Sequence, residues 1–235
     1  PPPEEIQQIE KNKKEISKND EAPKLSENQE IQEISREDAI NKSNRILFEN
    51  ENIFGSISLS NGGAIDDFTF KNYNKVLNGK EKIILLNPIN IKDGYIFNTG
   101  WVSSDENINT PNLDTEWTVS GNSKLTPNNP VSIYYENQQG LRFERIISLD
   151  EKYLFNIKQK IINKTDKKYK LYPYAYLHRN TIPEDLTDFY ILHEGFVTVS
   201  DEELKEIDYD DIDEKSYTKN SKKGFIAIGD KYWVT

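Results

Sequence analysis

Cysteine is absent from all 235 residues, and so is methionine. Without cysteine the chain has no disulfide, no thiolate metal site and no thiol nucleophile, whatever compartment it occupies. Only two histidines, His178 and His193, are available for acid–base or metal chemistry. No stretch approaches the run of about 18 apolar residues that a membrane-spanning helix needs. Nor is there a basic segment followed by a short apolar one, the mark of a secretory leader. Positive charge is in deficit, with 30 Lys and Arg against 40 Asp and Glu, a net charge of −10. That balance argues against nucleic acid and against general adhesion to anionic lipid.

What is present is unevenly spread. Residues 1–44 contain no aromatic and no glycine, so residues 45–235 hold all of the 3 Trp, 13 Tyr, 10 Phe and 11 Gly. The first segment, "PPPEEIQQIEKNKKEISKND" through "INKSN", is rich in Glu, Lys, Gln, Asn and Pro. Too little apolar surface is available there to offset roughly 1–2 kcal/mol of backbone entropy per residue. Residues 1–44 are therefore expected to be a solvated, disordered linker, with one short helix in "SREDAIN" capped by Ser35.

From Arg45 onward, short runs alternate with period two. "NGGAIDDFTFKNY" reads as a turn at Asn61-Gly62-Gly63 followed by a strand. "VSIYYENQQGLRFERIISLD" is a hairpin, with Val131, Ile133 and Tyr135 facing one way on one arm and Leu141, Phe143 and Arg145 on the other. "KYLFNIKQKIINKTDKKYKLYPYAYLHRN" repeats that design around a polar turn at Asn163 to Asp166, and Pro173 restricts its strand to an edge or a bulge. "DFYILHEGFVTVS" is a further strand. "SKKGFIAIGDKYWVT" closes the chain as a strand pair with its turn at Gly229-Asp230. An aromatic last strand and the missing initiator suggest a piece of something longer. Helical periodicity is scarce, so an all-β sandwich or barrel is expected.

The chemical motifs are weak. His178 in "YLHRN" and His193 beside Glu194 could serve acid–base work on a sugar, but neighbours on a strand face opposite ways, and structural roles are expected. "DEELKEIDYDDIDEK", Asp201 to Lys215, packs nine carboxylates without the ordered spacing and turn glycine of a calcium loop, so a solvated segment is expected. Gly62-Gly63 lacks phosphate-loop spacing. Trp101, Trp117, Trp233 and "LYPYAYL" are expected in the core rather than in a ligand groove. No catalytic residue, metal site or cofactor is expected.

"NGGAIDDFTFKNY", Gly100-Trp101, "LYPYAYLHRN", "FYILHEG", "LKEIDYDDIDEK" and "GFIAIGDKYW" stand in the order found in one family. In these words residues 45–235 resemble the large periplasmic domain of the YidC-type membrane-protein insertases of Gram-negative bacteria, relatives of the Oxa family. The resemblance implies a β-supersandwich similar to galactose mutarotase-like folds. It implies a first transmembrane helix ahead of the linker, and a membrane core after the domain that carries the insertase groove. It places the domain on the periplasmic face of the inner membrane. The implied partners are Sec translocon accessory subunits (SecF-like) and nascent membrane proteins. Phe225, Ile228, Tyr232 and Trp233, with Ile226 and Val234, are then expected to be anchored in the sandwich as the junction to the membrane core. The competing reading is a carbohydrate-binding or aldose-epimerase-like protein, which needs its His and Glu to converge in one cleft.

Overall fold

A computed structural model describes residues 31–184, 186, 193–212 and 217–235. The chain divides into two compact units between His178 and Arg179.

The first unit is a β-sandwich. Its larger sheet contains β1 (Arg45–Glu49), β2 (Ile53–Ser58), β3 (Ile65–Asn74), β4 (Lys82–Leu86), β5 (Tyr95–Ser103), β7 (Lys124–Leu125) and β11 (Leu171–Arg179). Its order is β11-β5-β3-β2-β1-β7, with β4 also paired to β3. The smaller sheet, in the order β10-β9-β8-β6, contains β6 (Thr118–Ser120), β8 (Val131–Glu136), β9 (Leu141–Leu149) and β10 (Phe155–Asn163). The β8–β9 hairpin has the expected alternation, with Val131 opposite Ile147, Ile133 opposite Arg145 and Tyr135 opposite Phe143. Val131, Ile133, Leu141 and Phe143 are all buried. Aromatic rings join the sheets: Phe48 of β1 meets Phe155 of β10 edge-on at 5.0 Å, and Trp101 of β5 lies 5.2 Å from Phe143 of β9. Trp101 and Trp117 are core residues, as expected, 3% and 2% exposed.

One expected hairpin does not form. β10 pairs with β9, whereas β11 lies beside β5 in the other sheet. Residues 164–170 between them are long enough to cross from sheet to sheet, and the Asn163–Thr165 turn only redirects the chain. β11 is an edge strand, which is where Pro173 costs no ladder hydrogen bond.

Residues 31–44, assigned by composition to the linker, are in part fixed to the first unit. α1 (Arg36–Asn41) is capped by Ser35, whose hydroxyl accepts from the Asp38 N–H at 3.1 Å. Six residues do not sustain a helix alone. Ala39 is buried, Gln32 N–H donates to the Asn90 carbonyl, and Arg36 Nε donates to Asn87 Oδ1. The packed body thus begins ahead of Arg45; residues 1–30 lie outside the described residues.

The second unit is a four-stranded antiparallel sheet, ordered β13-β12-β14-β15, of β12 (Gly195–Ser200), β13 (Glu203–Asp208), β14 (Gly224–Asp230) and β15 (Trp233–Val234), with a 3-10 turn at Tyr209–Asp211. β14 continues to Asp230, which pairs with Trp233, so the closing turn is at Lys231-Tyr232 rather than at Gly229-Asp230. Residues 188–192 of "DFYILHEGFVTVS" and residues 213–216 of the acidic stretch lie outside the described residues.

Candidate functional site

Three polar constellations organise the two units. In the first unit, Arg145 projects from β9 into the sandwich and is 2% exposed. Its Nη1 donates to the carbonyls of Gly62 and Gly63 and to Asn98 Oδ1 at 2.8–3.1 Å, and its Nη2 donates to the Thr99 carbonyl. The guanidinium lies 4.2 Å from the Trp117 ring centre and 5.8 Å from that of Trp101. Burial pushes its pKa below the ordinary arginine value. These acceptors are carbonyl oxygens rather than a carboxylate, so Arg145 ties β9 to the β2–β3 turn and to β5. Gly63, at φ +72°, is required there: a Cβ would stand 2.6 Å from Arg145 Nη1.

The second constellation is made by a β-bulge. Ser56 pairs with Asp67 and Ile57 with Ile65, leaving Asp66 as the extra residue of β3. The bulge re-aims the two adjacent carboxylates, so Arg45 Nη2 pairs with Asp66 and Arg36 Nη2 with Asp67. Ser56 stands between the pairs, donating to Asp67 Oδ2 at 2.5 Å and accepting from Arg45 Nε at 2.7 Å. Burial pushes the Asp66 carboxyl up to about 6, against the opposing pull of Arg45. A raised carboxyl stabilises the fold while protonated: its contribution is complete below the unfolded value of 3.8 and is lost as pH rises through about 6. On lowering the pH from about 7.5 to about 5, urea unfolding should therefore show a gain of roughly 1 kcal/mol that Asp66→Asn abolishes. An identical pH slope in the variant would show that Asp66 is not its source.

In the second unit, Arg179 Nη1 donates to both oxygens of Asp230 at 2.8 Å, and Tyr209 OH donates to Asp230 Oδ1 at 2.8 Å. Burial, reinforced by the Asp230 carboxylate, holds the Tyr209 phenol well above its usual range. This cluster ties the residue that enters the unit to the end of β14. His193 has Asp208 Oδ1 at 2.9 Å from Nδ1 and the Phe196 carbonyl at 3.0 Å from Nε2, so both ring nitrogens are engaged. His178 lies half-buried on β11 in the other unit. Among the described residues, no group of three or more His, Asp and Glu is placed to hold a metal.

The expected apolar anchoring of the closing strands is corrected. Ile228 is 2% exposed and Trp233 half-buried, but Phe225, Ile226, Tyr232 and Val234 are between 55% and 72% exposed. β14 is buried from Ala227 to Gly229 and exposed before that, so its burial changes along the strand rather than alternating between faces. Beside the buried Ala227 and Ile228, the Arg179–Asp230–Tyr209 cluster, which the apolar pattern could not reveal, also ties this end of the unit.

A surface groove of about 480 Å3 is lined by Glu49, Glu51, Lys71, Asn128 and Glu151, among others. Hydrogen bonds from Lys71 and Lys124 hold the Glu49 carboxyl down at about 2. The groove suits polar or cationic groups and shows no nucleophile–base pair. Among the described residues, no helix is long and apolar enough to cross a membrane.

Comparison with known proteins places the chain in a family. The sequence profile of the YidC periplasmic domain matches residues 45–235. A protein of Pelagibacter ubique named membrane protein insertase YidC is 52% identical over 220 residues, which cover 94% of this chain and 39% of that protein. Insertases of the same name from Rhizobium meliloti and Brucella suis are 36% and 37% identical over 204 and 205 residues, covering 85% and 86% of this chain and 34% and 33% of theirs. The chain thus spans about two fifths or less of the length of these relatives. At this coverage and identity, the chain belongs to the family of YidC periplasmic domains.

Proposed function

We propose that the chain is the non-catalytic periplasmic portion of an inner-membrane insertase, supporting the insertion and folding of membrane proteins. The observation that carries this reading is the profile match across residues 45–235, together with relatives named as insertases whose length is mostly outside this chain. Nascent membrane proteins and SecF-like accessory subunits of the Sec translocon are the proposed partners, met on the periplasmic face of the inner membrane. The closing hairpin with Phe225, Ile228, Tyr232 and Trp233 is the proposed junction to a membrane core. The Arg179–Asp230–Tyr209 cluster supports a stiff junction, because it fixes both ends of the second unit to each other.

The test uses the full-length protein in cells depleted of their own insertase. Photocrosslinkers placed singly on exposed positions of both units should capture SecF or a nascent membrane protein at a confined set of sites. Crosslinks spread evenly over the surface, or none while the protein sustains growth, would remove the partner assignment.

A further inference from the structure

The β3–β4 hairpin ends in a bare apolar tip. β3 and β4 last pair at Asn74 and Lys82, leaving residues 75–81 as the loop. Val76 O accepts from the Gly79 N–H at 2.9 Å, and Asn78 takes a left-handed φ of 61°. Such a turn places Leu77 at its outer corner. Leu77 is 94% exposed and Val76 is 64% exposed, with Tyr73 43% exposed just below them. No other large apolar residue in the described chain is as bare as Leu77. Single exposed apolar residues are ordinary, but adjacent Val76 and Leu77 at a loop corner beside an aromatic form a protruding apolar point.

The charges around it are as distinctive. The whole chain carries −10, yet residues 75–82, "KVLNGKEK", carry three lysines and one carboxylate. Lys75 pairs with Glu81 across the loop and braces the tip. Apolar side chains at the point, an aromatic behind them and lysines around them form the arrangement that seats in an anionic lipid headgroup layer. There the lysine ammonium groups meet phosphates while the apolar side chains reach the acyl boundary. The acidic groove beside Glu49 and Glu151 lacks this combination.

We propose that the Lys75–Lys82 tip is a membrane-surface contact, touching anionic phospholipid through Val76 and Leu77. The proposal rests on the reading of the chain as a domain held beside the inner membrane, and adds a contact that positions it there.

Because the chain lacks cysteine, Val76→Cys and, as control, Ser120→Cys each give a unique attachment point for an environment-sensitive fluorophore. The whole chain, tethered by an N-terminal histidine tag to phosphatidylethanolamine–phosphatidylglycerol vesicles carrying a nickel-chelating lipid, is then read by emission and by iodide quenching. The label at position 76 should shift to the blue and resist quenching, while the label at 120 stays open. Leu77→Asp should abolish the shift, and Lys80→Gln or Lys82→Gln should each weaken untethered vesicle association roughly fivefold. Equal quenching at the two positions, or a shift that survives Leu77→Asp, overturns the proposal. So does shielding that arises only when a protein partner is added, which would make the tip a protein contact. These readouts do not involve insertase activity, so an inert tip in a protein that still sustains insertion removes this contact and leaves the proposed function standing.

Discussion

Arg145→Met should lower the melting temperature by about 10 °C or more, although methionine nearly fills the same volume and suits an apolar core. The reason is what the guanidinium leaves behind. The carbonyls of Gly62, Gly63 and Thr99 and the Asn98 side chain all accept from its two terminal nitrogens. Each buried acceptor left unsatisfied costs about 1–3 kcal/mol, and relaxation of the turn recovers only part of it, so a net loss of about 3–5 kcal/mol is expected. Arg145→Lys should rescue little, since a single ammonium cannot reach both the Gly62–Gly63 turn and Thr99. Differential scanning calorimetry of the three proteins checks this, and a melting temperature within about 2 °C of wild type in Arg145→Met would show the cradle to be energetically idle.

Trp117→Ala should cost about as much, roughly 3–5 kcal/mol, by a different route. The indole is 2% exposed, stacks near Trp101 at 6.3 Å and forms the surface over which Arg145 lies. Removing it opens a cavity and strips the guanidinium of the nearer of its two aromatic neighbours. The two substitutions share one contact, so their effects should fall short of additivity by about 0.5–3 kcal/mol in a double-mutant cycle. Strict additivity in urea melts would mean that Arg145 and Trp117 stabilise the sandwich independently.

The β8–β9 hairpin was legible because alternation there is regular and the loop ends at Gly140, whose φ of +81° favours glycine. The same alternation put Arg145 on the face of Leu141 and Phe143, and an arginine at an inward position is the signal that a buried cradle awaits it. Its acceptors were not legible, because they lie 46 to 83 residues away and are mostly backbone. The docking of α1 was hidden likewise: Arg36 in a polar segment becomes an anchor only through Asp67 and Asn87, 31 and 51 residues on. Composition therefore placed the start of the packed body too late. Sequence proximity favours a hairpin of β10 and β11, but the choice of sheet depends on β5 and β9. At the closing hairpin residue type suggested burial, yet Phe225 and Tyr232 are exposed, and the Arg179–Asp230 pair adds a polar tie beside the buried Ile228. The family words, by contrast, were legible at once, since they depend on residue order rather than on contacts.

The central claim, that this domain is a fixed support for an insertase core rather than a loosely tethered appendage, is tested most directly in the full-length protein. A flexible Gly-Ser segment is inserted either after Thr235 or after Asp20, and each version is asked to sustain growth and substrate insertion in cells depleted of insertase, with protein levels matched by immunoblot. The account predicts that insertion after Thr235 impairs function and that insertion after Asp20, in the polar segment, is tolerated. Equal tolerance at the two positions would contradict it.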